Sequence, residues 1–201
     1  MTGRTRIGDK RGIAMVLSVV LGLVIFGCYI LWEFAPFPDW AKKCLKMFVD
    51  ASPLFVWLFY RTAPAFVFLL LCFVANMVIF SNEIIGACAF ILAYGFASVF
   101  TATGHDFELV KLLGSAGVVL ALEAAILLFY KENRIGVIVY GFTACLSCIY
   151  AFLVSLNVGF LFLVIADALL IVNEIHSDKR VFITSDFFYF LGLCMVPLSL
   201  A

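Results

Sequence analysis

Charged residues are scarce in this chain of 201 residues. Lysine and arginine together number 13, aspartate and glutamate also number 13, and the formal net charge is zero. No basic run is long enough to indicate a nucleic-acid partner or a polybasic lipid patch. No polar tract is long enough to build a separate water-soluble domain. The low charge therefore excludes a nucleic-acid-binding protein and a soluble domain attached to a membrane anchor.

The sequence also lacks the signs of a disulfide framework. Its seven cysteines are an odd number, and most of them lie inside apolar segments. Free, buried thiols explain this distribution better than disulfides do, and the redox compartment stays open. Cys145 and Cys148 have helical spacing in an apolar segment without histidine or acidic partners, so we assign them to packing. We expect no metal and no cofactor.

Most of the chain is apolar. Apolar residues account for 66% of the chain, and the mean hydropathy is +1.18. Soluble domains do not have this composition. A membrane-spanning helix needs ~20 mostly apolar residues, and such segments recur along the whole chain. We therefore predict an all-α, polytopic membrane domain over residues 13–201, after a short basic tail at 1–12.

We predict about eight transmembrane helices in one compact bundle with short loops. They lie near residues 13–32, 47–60, 65–81, 84–103, 112–130, 135–155, 157–174 and 182–200. No A-x-A-like cleavage site follows the first apolar run, so we expect that span to be retained. One longer loop is expected at Glu33–Lys43, where Pro36 and Pro38 block helix. Lysine and arginine counts do not decide the orientation, but an even number of spans places both termini together.

Three predicted spans carry small residues at four-residue spacing, which lets helix backbones approach each other in lipid. These residues are Ala89, Ala93 and Ala97 in the fourth span, Gly117, Ala121 and Ala125 in the fifth, and Ala144 with Cys148 or Gly141 with Cys145 in the sixth. We expect all three stripes to be packing faces.

Four polar residues lie at membrane depth, namely Asp50, Asn76, Glu123 and Asp167. An aspartate at the centre of a spanning helix costs about 2.5–3.5 kcal/mol on insertion scales, so it should face the bundle or a wet cavity and is a functional candidate. The structural alternative is a neutral acid hydrogen-bonded to a neighbouring helix. Both roles stand open for Asp167, whereas a structural role is favoured for Glu123. Asn76 is expected to hydrogen-bond between helices.

Spacing links two of these residues to acidic residues nearer a membrane surface. Asn76 and Glu83 are seven residues apart, as are Asp167 and Glu174, which predicts that each pair shares one helix face. Such a face suits a lipid whose head group stays in water, and it equally suits ordinary interfacial charge.

The sequence GFLFLVIADALLIVNEIHSDKRVFITSDFFYFLGLCMVPLSL, from Gly159 to Leu200, resembles the closing region of the YhhN-like lysoplasmalogenase family. That region of the family has a Ser-Asp pair and, later, paired aromatics, which correspond here to Ala166-Asp167 and Tyr189-Phe190. Upstream, Cys72–Phe100 is similar to the family's Gly-Asp-bearing span and the following Gly-to-His span. Phe48–Leu58 is similar to its Lys-and-Pro segment. The resemblance implies a fold of eight spans.

The resemblance also implies an activity, namely hydrolysis of the vinyl ether bond of lysoplasmalogens to a fatty aldehyde and a glycerophospho-base in the endoplasmic reticulum membrane. Protonation of the vinyl ether requires an acid that keeps its proton and a nearby polar stabiliser. Asp167 is our candidate acid, with Asp50 and Asn76 as further catalytic candidates. The candidate residues of the substrate cavity are Glu83, Tyr94, Glu123, Tyr140 and Tyr189.

Several family positions differ here. The Gly-Asp pair is Ala75-Asn76, the serine is Ala166, the histidine aligns with Tyr94, the lysine with Asp50, and a glutamine with Leu193. A second hypothesis is therefore a catalytically impaired member that binds a lysolipid or a membrane partner without turnover. A third, an ion or proton transporter, lacks the internal repeat and paired broken helices of such proteins. The expected partners are a lysophospholipid and the bilayer, and the oligomeric state stays open.

Overall fold

The computed structural model describes residues 3–79, 81–129 and 134–201. Within these residues the chain is helical throughout and has no strand, which confirms the all-α prediction. The helices are α1 (Gly3–Phe34), α2 (Asp39–Asp50), α3 (Ser52–Tyr60), α4 (Ala63–Ile79), α5 (Glu83–Ala102), α6 (Leu109–Phe129), α7 (Arg134–Ser155), α8 (Val158–His176) and α9 (Lys179–Met195), followed by a 3-10 turn at Val196–Ser199.

Five segments of the described chain are long and apolar enough to cross a membrane. They are Gly12–Phe34, Glu83–Ala102, Leu109–Leu128, Ile138–Ser155 and Lys179–Ser199. The apolar helices α4 and α8 are shorter, and the number of about eight spans stays a prediction. Large apolar side chains cover the outside of α1, α5 and α6. Such an apolar exterior suits lipid tails better than water.

The segment predicted as one span at 47–60 is divided into α2 and α3 at Ala51. Pro53 explains the division, because it has no N–H and its ring clashes with the carbonyl four residues earlier. The Leu54 N–H donates instead to the Ala51 carbonyl, three residues back, at 3.0 Å. The prediction of a single helix here is wrong.

The predicted loop at Glu33–Lys43 is also shorter than expected, because α2 begins at Asp39. Asp39 lies in the first turn of α2, where a carboxylate is stabilised by the positive end of the helix dipole. The lysines at 42, 43 and 46 give α2 a polar side, while Val49 is buried. The helix therefore has the amphipathic character of an interfacial segment.

The centre of the bundle is formed by α4, α5, α7, α8 and α9. α8 packs along α9, α4 along α5, and α7 contacts α5, α6 and α8. α1 packs along α9 on one side, and α6 lies at the other edge against α7. The largest fully buried side chains include Phe68, Tyr94, Phe160, Leu163 and Leu193, which come from these central helices.

The small-residue stripes of the fourth and sixth predicted spans pack inside the bundle. Their most buried members are Ala93, Ala97, Ala144 and Cys148. The prediction for the fifth span is wrong, since Gly117, Ala121 and Ala125 are exposed on α6. The reason is that α6 turns the opposite face, with Ser115 and Val119, toward the bundle.

Met15 of α1 and the C-terminal residue Ala201 lie at the same end of the bundle. Met15 and Ala201 line one surface cavity, and the Ser18 hydroxyl donates to the Cys194 carbonyl at 3.1 Å. At the opposite end, Lys179 and Glu33 form an ion pair at 2.6 Å. We call these the terminus end and the Glu33 end.

Candidate functional site

Asp167 lies at the middle of α8 and is 8% exposed. The Tyr140 hydroxyl on α7 donates a hydrogen bond to the Asp167 carboxyl. A buried carboxyl is costly at membrane depth unless it is hydrogen-bonded, so this bond fixes its position.

Two further predicted cavity residues approach Asp167 from other helices. Tyr94 on α5 and Tyr189 on α9 are both within electrostatic range of the carboxyl. Tyr94 is 1% exposed. Asp167, Tyr94, Tyr140 and Tyr189, here called the Asp167 cluster, thus join four helices. The structure brings together all three tyrosines that the sequence resemblance selected.

Asn76 on α4 is bound to this cluster through Tyr189. The Tyr189 hydroxyl donates to the Asn76 side-chain oxygen at 3.1 Å. The same tyrosine ring packs edge-on against Phe90 of α5, with ring centroids 5.9 Å apart. The prediction that Asn76 hydrogen-bonds between helices is therefore confirmed.

A cavity of about 20 Å³ lies between α6, α7 and α8. Asp167 and Tyr140 line one part of it, and Glu123 and Gly141 line another. Its other walls are apolar, formed by Val119, Leu122, Ile126, Cys145, Val164, Ala168 and Ile171. The volume is sufficient for about one water molecule. Asp167 and Glu123 therefore both belong to the wall of one small space whose surface is almost entirely apolar.

Glu123 is 7% exposed and lies against Gly141 of the neighbouring helix α7. Its Oε1 has no hydrogen-bond partner among the described residues. A Cβ at Gly141 would lie 2.9 Å from this Oε1. The carboxyl thus occupies space that only a glycine at position 141 leaves open.

The partnership of Glu123 with Asp167 was missed by sequence reasoning. Glu123 was expected to have a structural role, and the pairing depends on the register between α6 and α8. The one available signal was Gly141, which belongs to a predicted small-residue stripe. A small residue facing an acid on the next helix is a sign of close approach.

Asp50 and Glu83 lie elsewhere. Asp50 on α2 forms an ion pair with Lys46, one turn away, at 2.8 Å. Glu83 is exposed in the first turn of α5, near the positive helix end. Neither lines the cavity, so the structure does not bring the predicted catalytic residue Asp50 to Asp167.

The predicted shared face of Asn76 and Glu83 is wrong. α4 ends at Ile79, and α5 begins at Glu83. Asn82 sets the new helix start, because its side chain accepts a hydrogen bond from the Ile85 N–H at 3.1 Å. Asp167 and Glu174 do share one helix, α8.

The site combines a hydrogen-bonded acid, a second carboxyl and space for one water. These are the parts needed to give a proton to a substrate and to activate a water molecule. No group of three or more histidine, cysteine, aspartate or glutamate side chains in the described ranges could hold a metal ion.

Comparisons with protein-family models, with curated proteins and with solved structures gave no match.

Proposed function

We propose that this chain is an integral, multi-pass membrane hydrolase that cleaves the vinyl ether bond of lysoplasmalogens, with Asp167 as the proton donor. The observation that carries the proposal is the burial of Asp167 at membrane depth beside the Tyr140 hydroxyl and opposite Glu123. The resemblance of Gly159–Leu200 to the YhhN-like lysoplasmalogenase family is the source of the proposed reaction class, and it implies the endoplasmic reticulum membrane as the location.

The reaction begins when the Asp167 carboxyl gives its proton to the β-carbon of the vinyl ether. The double bond becomes a single bond, and the adjacent carbon and ether oxygen form an oxocarbenium ion. Water attacks that carbon and loses a proton to a carboxylate, which gives a hemiacetal. Collapse of the hemiacetal breaks the bond between its carbon and the glycerol oxygen and releases a fatty aldehyde and a glycerophospho-base. The hydroxyl proton of the hemiacetal moves to the departing glycerol oxygen. The proton taken from water passes from the accepting carboxylate back to Asp167, and one water is consumed overall.

Glu123 takes the role of second carboxyl in this proposal, in place of Asp50. It shares a water-sized cavity with Asp167, so it is placed to accept the proton of the attacking water. Tyr140 holds the Asp167 carboxyl in position, and Tyr94 and Tyr189 surround it with hydroxyl dipoles. Such preorganised dipoles stabilise the charge that develops on the oxocarbenium ion.

The apolar surroundings favour a substrate with a single hydrocarbon chain. α6 borders the cavity on one side and exposes Val118, Leu120 and Leu128 on the other. A lysolipid chain in the bilayer can thus lie beside α6 while its ether bond approaches Asp167. Substrate entry then requires α6 to move relative to α8, because the cavity itself holds only about one water.

The test is aldehyde release from a lysoplasmalogen by the purified full chain in lipid. We expect Asp167→Asn to lower kcat by about 100-fold or more, since general acid catalysis contributes 10²–10⁴-fold. Glu123→Gln should lower it by about tenfold or more. The matched control Asp106→Asn changes an exposed aspartate and should leave the rate unchanged. An acyl lysophospholipid should not be hydrolysed, and equal rates for wild type and Asp167→Asn would contradict the assignment.

A second candidate is a catalytically impaired protein that binds a lysolipid or a membrane partner without turnover. The observation that favours it is Asn76, which stands where the family has an aspartate and has its side-chain oxygen engaged by Tyr189. Under this candidate, wild type binds lysolipid and releases no aldehyde. Asn76→Asp restores a carboxyl that Tyr189 can still hydrogen-bond, and appearance of activity in this variant would identify the missing group.

A further inference from the structure

Three hydroxyl groups on α5 are buried without a hydrogen-bond partner in the part of the chain that the structure describes. They belong to Tyr94, Ser98 and Thr101, which are 1%, 4% and 5% exposed. Spacings of four and three residues place them on one face of α5, within about 10 Å along the helix. Because an unsatisfied buried hydroxyl costs about 1–3 kcal/mol, three in a line require an explanation.

Other serine and threonine hydroxyls in the bundle bond back to a carbonyl one turn earlier. The bonds of this kind are Ser115 to Lys111 at 2.7 Å, Thr143 to Val139 at 2.7 Å, Ser147 to Thr143 at 2.8 Å, Ser155 to Ala151 at 2.7 Å and Thr184 to Arg180 at 2.8 Å. Ser98 and Thr101 have the same possibility in α5 and do not use it. Their hydroxyls are therefore available to partners outside their own helix.

The line begins at a cavity of about 650 Å³ at the terminus end of the bundle. Thr101 lines this cavity together with the polar side chains of His105, Ser155, Asn157 and Ser199. The cavity lies where α5 and α7 end and α8 begins. A space of this size and polarity at the end of the bundle is accessible to water.

The line ends at the Asp167 cluster. Tyr94 is within electrostatic range of Asp167, Tyr140 and Tyr189. Tyr140 in turn donates a hydrogen bond to the Asp167 carboxyl. Tyr94 is therefore the point at which the hydroxyl line of α5 meets the buried acid.

We propose that Thr101, Ser98 and Tyr94 form a path for water and protons between the surface cavity and Asp167. Each hydroxyl can both donate and accept hydrogen bonds, as a proton relay requires. The three hydroxyls are closed to water in this conformation, so the path requires motions of α5 that admit single water molecules between them. The path goes beyond the proposed hydrolysis, because it connects Asp167 to bulk water whatever the substrate is. In that hydrolysis it also delivers the water molecule that is consumed.

The test follows the hydrogen of the Asp167 carboxyl by infrared spectroscopy of the full chain in lipid. The carboxyl band that is absent from Asp167→Asn identifies the residue, and the buffer is then changed from H₂O to D₂O at the pH where this band is strongest. We expect rapid exchange in wild type and exchange at least tenfold slower in Ser98→Ala and in Thr101→Val. The matched control is Thr143→Val, which removes an exposed hydroxyl of α7 and should not alter the exchange rate.

The alternative is that these hydroxyls are merely unsatisfied. In that case Ser98→Ala and Thr101→Val keep or raise the unfolding temperature, because each removes an unpaired polar group, and exchange at Asp167 is unchanged. That result would overturn the path. The path would also be overturned if the Asp167 band of the wild type did not shift after the buffer is changed to D₂O. Hydrogen exchange at Asp167 requires no turnover of substrate. A protein that is inactive on lysoplasmalogens can therefore still show slower exchange in Ser98→Ala and Thr101→Val. The proposed hydrolysis and the proposed path are thus tested independently.

Discussion

Glu123 and Gly141 depend on each other at the edge of the candidate site. The Glu123 carboxyl on α6 lies over Gly141 of α7. Because the cavity between α6, α7 and α8 holds only about one water, a single added methyl group is a large change in this space. The geometry of the second carboxyl is therefore set by the absence of a side chain opposite it.

Gly141→Ala is expected to displace the Glu123 carboxyl. The new Cβ would lie 2.9 Å from Oε1, so the carboxyl must rotate away from position 141. We expect a stability loss of about 1–3 kcal/mol, as is typical of overpacking, measured by unfolding in detergent or lipid. Aldehyde release should fall to about the level of Glu123→Gln.

A double-mutant cycle separates this effect from a general packing defect. Glu123→Ala removes the group that the new methyl would meet, so Gly141→Ala should cost little in that background. The expected coupling between the two positions is about 0.5–3 kcal/mol, the range seen for residues in contact. Additive effects of the two substitutions would show that the alanine acts through another neighbour.

The sequence assigned some residues to the candidate site correctly and others not. Asp167 was identifiable because it is a lone carboxylate between apolar runs, and burying it unpaired would be costly. Asp50 was misjudged although its partner, Lys46, lies four residues away, which is the spacing of an exposed helical ion pair. Glu123 could not be paired with Asp167, since hydropathy does not fix how one helix is rotated against another.

At the scale of elements, two glycines let α8 pack closely against α9 and the turn that follows it. A Cβ at Gly159 would lie 2.7 Å from the Val196 nitrogen, and one at Gly192 would lie 2.6 Å from Leu163 Cδ2. Backbones approach this closely in membrane helices where small residues face each other. The crossing holds α8, and therefore Asp167, against the centre of the bundle.

Gly159→Ala should destabilise the bundle strongly. The added methyl meets the backbone of Val196, which cannot rotate away as a side chain can, so we expect a loss of about 3 kcal/mol or more. The matched control is Gly117→Ala on α6, where a Cβ would meet nothing within 4 Å. This control should leave stability unchanged or raise it by up to about 1 kcal/mol through helix propensity. Unfolding temperatures of both variants measure the difference, and equal shifts would contradict the close crossing.

The sequence predicted where the helices lie along the chain better than it predicted which face of each helix is buried. The apolar runs gave α1 and α4 to α9 within a few residues at most ends, because hydrophobicity and length define a candidate span. The stripe of Gly117, Ala121 and Ala125 was predicted to pack inside the bundle but is exposed. Small residues are equally compatible with lipid, so the sequence pattern does not determine which way the stripe faces. The division at Ala51 was missed because the apolar pattern runs through Pro53 without a gap.

At the scale of the whole molecule, two different ends can be distinguished. The terminus end carries the polar cavity of about 650 Å³ and the start of the hydroxyl line on α5. The Glu33 end carries α2, where Lys46 lies over the Trp32 ring at 5.8 Å, and the ion pair of Lys179 with Glu33. Water reaches Asp167 from the terminus end in our proposal, so the two membrane surfaces have different roles. Lysine and arginine counts could not assign them, because the two sets of loops carry nearly equal positive charge.

We expect tags fused to the two termini to be accessible from the same side of the membrane. Met15, near the start of the first apolar segment, and Ala201 line one cavity, so we expect the residues before that segment and the C-terminus to share one side. Cys44 on α2 is exposed near the Glu33 end and should react with a membrane-impermeant thiol reagent only from the opposite side. Sealed vesicles of one orientation, with protease digestion of each tag and mass spectrometry of Cys44, measure both. The buried Cys72 and Cys148 serve as internal controls that should stay unmodified, because the bundle encloses them. Tags on opposite sides would require an odd number of crossings, and that would contradict the helix order on which both the Asp167 cluster and its water path depend.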